Sequence, residues 1–286
     1  MIYVPLAMST LGHAAWDNVL HWMITNDPDT SILHMHWVRL VFVWLFLAGL
    51  SRKQTPALRT WDWWLVFALW GWVVPSISYT LCVKMTGYRI AISLQPFIPL
   101  FVALQTGKDI SGRRLLGLIC AMMGTLCIWC VSPWYHKDYE LWQIWGSLFF
   151  ASVYVLCMSK WFVMLNDVKE RQLATITKGV GVSIIVMFCT MIVWTPQHLQ
   201  AAFMYRWDRW IIVIITAAIT AACKNWVVAY CSTIMEMDSV AIFECLHPIA
   251  TLCVDISRGS DLFEYEDIVS ILLMALGWIL YPKTII

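Results

Sequence analysis

Residues Trp142 to Val163 read WQIWGSLFFASVYVLCMSKWFV, and the single charge in this run, Lys160, stands near its end. A helix needs about 20 residues to cross the ~30 Å of hydrocarbon in a bilayer, and this run meets that length. It lacks the alternating ~10-residue pattern of a membrane β-strand. In lipid every backbone N–H and C=O must find its partner inside the segment, so the expected conformation is a helix.

The rest of the chain repeats the pattern. It is 60% hydrophobic, with Asp, Glu, Lys and Arg at 13% of 286 residues, against roughly 25% in a soluble domain. Charges gather in short clusters such as SRKQTPALR (Ser51 to Arg59), GKDISGRR (Gly107 to Arg114) and LNDVKERQ (Leu165 to Gln172). Between them, spans are expected at 3–24, 31–50, 62–82, 87–106, 113–132, 142–163, 174–195, 209–232, 239–256 and 264–281. The expected fold class is therefore an all-α integral membrane protein with ten transmembrane helices. The first stretch has no basic flank before it, so it reads as a span and not as a cleaved signal.

Lys and Arg in the short loops set the orientation. With the N-terminus inside, the inner loops collect Arg52, Lys53, Arg59, Lys108, Arg113, Arg114, Lys169, Arg171 and Lys283, and the outer loops Lys84, Arg89, Lys137, Arg206, Arg209 and Arg258. Both termini are expected in the cytoplasm, in the cell membrane or, as the alternative, an organelle membrane. Tryptophans at 61, 63, 64, 134, 142, 145, 207 and 210 cluster where headgroups begin.

The chain also looks doubled. QPFIPL (Gln95 to Leu100) precedes a polar turn and GLICAMMGTLCIW, and ECLHPIA (Glu244 to Ala250) precedes a polar turn and SILLMALGWILY. Pro99 and Pro248 are half a chain apart. Five spans per unit make the second unit, 141–286, enter from the side opposite to the first, 1–132, as inverted repeats. Small residues four apart, Gly117 and Ala121, or Ala217 and Ala221, suit close helix packing within one bundle or at a dimer contact; a monomer or a homodimer is expected.

Polar residues inside spans are the candidate site. His13, Asp17 and His21 recur every four residues on one helix face, with Trp16 and Asn18 beside it. Glu244, His247, Thr251 and Asp255 form a second stripe, interrupted by Pro248. Arg39 and Lys224 supply two positive charges against Asp17 and Glu244. Such a cavity suits a zwitterion, or the four groups make two salt bridges. Trp72, Tyr79 and Trp226 are deep aromatics that suit an organic cation or a planar solute, as well as plain packing. His34 and His36 project to opposite sides of a helix. No zinc-protease, serine-hydrolase or phosphate-loop signature is present, so an enzyme is not expected. Cofactors are likewise not expected. A net charge of +1 without a basic domain gives no reason to expect nucleic-acid binding.

From about residue 4 to 281 the chain resembles the EamA-like branch of the drug/metabolite transporter superfamily. GHAAWDN (Gly12 to Asn18) is similar to that family's His-Ala-x-Trp-Asn segment, with Asp17 inserted before Asn18. The segments around Pro99 and Gly117, and around Pro248 and Gly277, are similar to its proline-containing and glycine-rich helices. The resemblance implies ten helices from a duplicated five-helix unit and transport by alternating access. The expected function is secondary transport of a small polar organic metabolite, an amine, quaternary ammonium compound or zwitterionic amino acid, with the proton as a candidate coupling ion. His13, Trp16, Asp17, Asn18, Arg39, Trp72, Tyr79, Lys224, Trp226, Glu244 and His247 are the expected binding residues. The alternatives are a nucleotide-sugar or drug exporter of the same fold and a non-transporting assembly factor. Membrane lipids and the small-molecule substrate are the expected partners.

Overall fold

A chain this apolar can satisfy its backbone only by internal pairing, and every regular element among the described residues is a helix. The computed structural model describes residues 3–13, 32–52, 54–56, 59–107, 110, 112–135, 139–168, 171–194, 207–257 and 265–282. Helix α1 covers 3–13 and α2 Ile32–Leu50. Helix α3 runs from Trp61–Ala68 through a π-helical turn at Leu69–Val73 to Val74–Thr86. Helix α4 joins Tyr88–Ser93 to Ile98–Gln105 through a 3-10 turn at Gln95–Phe97. Then come α5 (Arg113–Tyr135), α6 (Leu141–Asn166), α7 (Gln172–Trp194) and α8 (Trp207–Cys231). Helix α9 joins Met237–Ala241 to Leu246–Ser257 through a 3-10 turn at Ile242–Cys245, and α10 is Tyr265–Leu280.

Five of these helices are long and apolar enough to cross a membrane: Leu33–Leu50, Trp61–Thr86, Leu141–Asn166, Gln172–Val193 and Ile214–Cys231. Their outer faces carry exposed Leu45, Trp145, Phe149, Ile185 and Val193, a surface that suits hydrocarbon and not water. The segment Ile90–Gln105 is a shorter apolar helix.

Proline explains each irregular turn. Pro75 has no N–H for the carbonyl of Gly71, and its ring crowds that carbonyl, so the ladder widens to the π form just upstream. Pro99 and Pro248 likewise leave the carbonyls of Gln95 and Glu244 without their usual helical donor. In the first 3-10 turn the Gln95 carbonyl accepts from Ile98 N–H, and in the second Leu246 N–H is shared between the carbonyls of Phe243 and Glu244. The two turns lie against each other near the middle of the bundle.

Helices α5 and α10 pack along most of their length because glycine removes the side chains between them. A Cβ on Gly277 would stand 2.6 Å from Ala121 N and from Gly117 O, and one on Gly117 would stand 2.8 Å from Tyr281 N. The expected use of Gly117 and Ala121 as a close-packing stripe thus falls inside the chain. Elsewhere α3 packs on α6, α2 on α7 and α8, and α4 on α6, around one continuous apolar core that includes Trp64, Phe67, Phe162 and Phe243.

Candidate functional site

The π-turn of α3 and the packing of α2, α3, α6 and α8 leave a small cavity of about 90 Å³. Its two walls differ in chemistry. Helices α3 and α6 supply Trp72, Tyr79, Tyr154, Met158 and Trp161, an aromatic wall. Helices α1, α2, α8 and α9 supply His13, His36, Arg39, Lys224, Asn225 and His247, a wall of cations and imidazoles.

The aromatic wall is held by ring-on-ring contacts. Trp72 meets Trp161 edge-on at 5.6 Å and Phe67 at 5.5 Å, and Tyr79 lies 5.6 Å from Tyr154. Glycine makes the room: a Cβ on Gly71 would stand 2.6 Å from Trp161 Cδ1, and one on Gly179 would stand 2.8 Å from Trp72 Cζ3. The π-turn therefore does two jobs, bringing Trp72 to the wall and opening the Gly71 face to Trp161.

On the polar wall, Lys224 Nζ donates to Glu244, at 2.9 Å from Oε1 and 3.0 Å from Oε2. Both residues are buried, and Glu244 sits behind Lys224, outside the cavity lining. His36 Nε2 and the Thr80 hydroxyl are 2.8 Å apart, which orients that imidazole. The rings of His13 and His247 meet edge-on at 5.4 Å, joining α1 to α9. Asn225 spends its amide N–H on the Ala221 carbonyl, leaving its side-chain oxygen as an acceptor. Arg39 is buried in the same wall.

The structure thus brings His13, Arg39, Trp72, Tyr79, Lys224 and His247 to one cavity, with Glu244 behind it. Trp226 is not in the lining and is 45% exposed, because it lies two residues on from Lys224, about 200° around α8 and so on its outside. Trp16, Asp17 and Asn18 lie outside the described residues. The α6 residues Tyr154, Met158 and Trp161 were not expected from sequence. Their apolar helix carries no polar stripe to single them out, and only packing against α3 identifies the inward face. His36 is a further residue whose burial the sequence left open. Among the described residues no three or more His, Cys, Asp or Glu side chains are grouped to hold a metal ion.

An aromatic wall facing a basic one can hold a solute that has a flat apolar part and a polar head. The ring faces attract the first by dispersion and quadrupole contact, and the cations and N–H groups meet the second.

No protein-family model matches the chain, and no curated protein does. Its fold is similar to that of a protein solved by crystallography, with a TM-score of 0.71 and 12% sequence identity over 96% of this chain and 94% of the other. At that identity the likeness concerns the fold alone.

Proposed function

We propose that this chain is a multi-pass membrane transporter of the EamA-like type, with ten spans in two inverted five-helix repeats, 1–132 and 141–286, and both termini cytoplasmic. It moves a small amphipathic metabolite by alternating access. The observation that carries this reading is the two-walled cavity inside a bundle whose exterior is apolar. Buried charge is costly in such a bundle, and here two cations, Arg39 and Lys224, line a void.

The repeat is supported by matched irregularities. Gln95 and Glu244 open the break of α4 and lie within that of α9, each four residues before a proline. Helices α5 and α10 pack antiparallel: Gly117 faces Gly277 and Tyr281, while Gly124 faces Ser270 and Met274. Inversion of the second unit requires that opposed sense for the last helix of each half, and substrate sites in that architecture lie near the midplane at broken helices.

Among the expected substrates a zwitterionic amino acid with a ring is favoured over a quaternary ammonium compound. The charged residues described in the lining, Arg39 and Lys224, are both positive, Lys224 being paired to Glu244 from behind, and no carboxylate among the described residues faces the cavity to meet a quaternary ammonium. Glu244 holds the Lys224 ammonium in the wall from behind, and the imidazoles of His13, His36 and His247 offer further polar contacts. Thermal unfolding of the purified protein in detergent tests this against amino acids, aromatic amines, quaternary ammonium compounds and nucleotide sugars. A ligand at 100 times its Kd stabilises the folded state by about 2.7 kcal/mol. The reading expects a saturable shift with ring-bearing zwitterions that is lost in Trp161→Leu and kept in Trp226→Leu. A shift confined to quaternary ammonium compounds contradicts the substrate assignment, and equal loss in both variants contradicts the site.

A further inference from the structure

At the end of the bundle where α3 begins, two cations rest on two adjacent tryptophans. Arg59 Cζ lies 5.2 Å from the centre of the Trp63 ring, and Lys178 Nζ lies 4.3 Å from that of Trp64. The two indoles meet edge-on at 5.0 Å. Helices α3 and α7 run side by side in the same direction here, since Lys178 meets Trp64 and, further along, the Ser183 hydroxyl reaches the Ala68 carbonyl at 3.4 Å.

Both cations are exposed, and neither has a carboxylate partner among the described ion pairs. Arg59 donates to the Asp167 main-chain carbonyl at 3.3 Å. Trp64 is 1% exposed, and its Nε1–H has no acceptor among the described residues. Among the described residues the nearby acids are Asp62 in the first turn of α3 and Asp167 at the end of α6, both exposed to solvent. A lysine a turn and a half inside an apolar helix, folded back over a tryptophan, places its ammonium at headgroup level.

We propose that the exposed Arg59 and Lys178, held in place by Trp63 and the buried Trp64, form a site for the phosphate of an anionic phospholipid where α3 and α7 begin. The cations meet the negative headgroup, and the half-buried Trp63 indole lies beside the first carbons of the chains. A phosphatidylcholine carries the same phosphate with a compensating cation, so the site prefers phosphatidylglycerol by charge. The proposal rests on the membrane reading and is independent of what the cavity carries.

The test is binding of phosphatidylglycerol and phosphatidylcholine to the full chain in mixed detergent micelles, read by native mass spectrometry. About 1 kcal/mol per interfacial cation corresponds to roughly a five-fold change in affinity. Arg59→Gln and Lys178→Gln should each weaken phosphatidylglycerol about five-fold, and together about 25-fold, with phosphatidylcholine unchanged. Arg59→Lys with Lys178→Arg should keep the preference, which separates charge from folding. Arg171→Gln, at the same end and also exposed, should leave it intact. Equal binding of the two lipids by the wild type, a preference that survives in the double glutamine variant, or an equal loss in Arg171→Gln overturns the site. Stable recovery in phosphatidylcholine micelles with no lipid preference leaves the membrane reading standing and removes only this proposal.

Discussion

Lys224 Nζ lies almost equally far from the two carboxylate oxygens of Glu244, at 2.9 and 3.0 Å, so one buried ammonium bridges a whole carboxylate between α8 and the break of α9. Removing either partner strands the other charge in an apolar interior, at a cost of about 3–5 kcal/mol, whereas removing both leaves no stranded charge. Lys224→Met and Glu244→Leu should each lower the unfolding temperature in detergent substantially, and the double variant should recover most of the loss. A double variant as unstable as the worse single one counts against the pair as drawn.

The α5–α10 seam makes a second, sharper expectation. A methyl on Gly277 meets main-chain atoms of α5 at 2.6 Å, and main chain cannot rotate aside. Overpacking of this kind costs about 1–3 kcal/mol. Gly277→Ala should therefore destabilise. In α2, a Cβ on Gly49 has nothing within 4 Å, so Gly49→Ala should be neutral or gain up to about 1 kcal/mol through helix propensity. Paired melting curves of the two variants check both signs.

The inverted architecture makes a topological prediction. Thr55, between α2 and α3, and Glu140, before α6, are both exposed. Three spans separate them in the proposed fold, an odd number. In a background without native cysteines, Thr55→Cys and Glu140→Cys should react with an impermeant thiol reagent from opposite sides of a sealed vesicle. Reaction from the same side removes one of α3, α4 and α5 as a span.

Much of the fold was legible because lipid imposes a simple rule. The apolar runs between SRKQTPALR, GKDISGRR and LNDVKERQ had to be helices, and they are. Pro99 and Pro248 announced broken helices, yet the breaks begin upstream of them, at Gln95 and Ile242, because proline deprives the carbonyl four residues earlier. The π-turn at Leu69–Val73 was not foreseen, although Pro75 is its cause. Charge in an apolar span was a sound guide, since Arg39, Lys224 and His247 meet at one cavity. The partner choice was not legible: four charges on four helices admit several pairings, and packing alone joined Lys224 to Glu244. Aromatic residues were a mixed guide, since Trp72 and Tyr79 do line the cavity. Trp226 faces outward while Trp161 lines the cavity, and in a membrane protein a tryptophan suits lipid, headgroup and core alike.

The most direct test of the central claim is uptake of the stabilising ring-bearing zwitterion, radiolabelled, into proteoliposomes preloaded with the same unlabelled compound. Transport through the cavity predicts saturable uptake above empty liposomes, trans-stimulated by the internal pool, lost in Trp161→Leu and retained in Trp226→Leu. Stabilisation by the compound in detergent with no uptake above empty liposomes would contradict transport and leave a binding protein in its place.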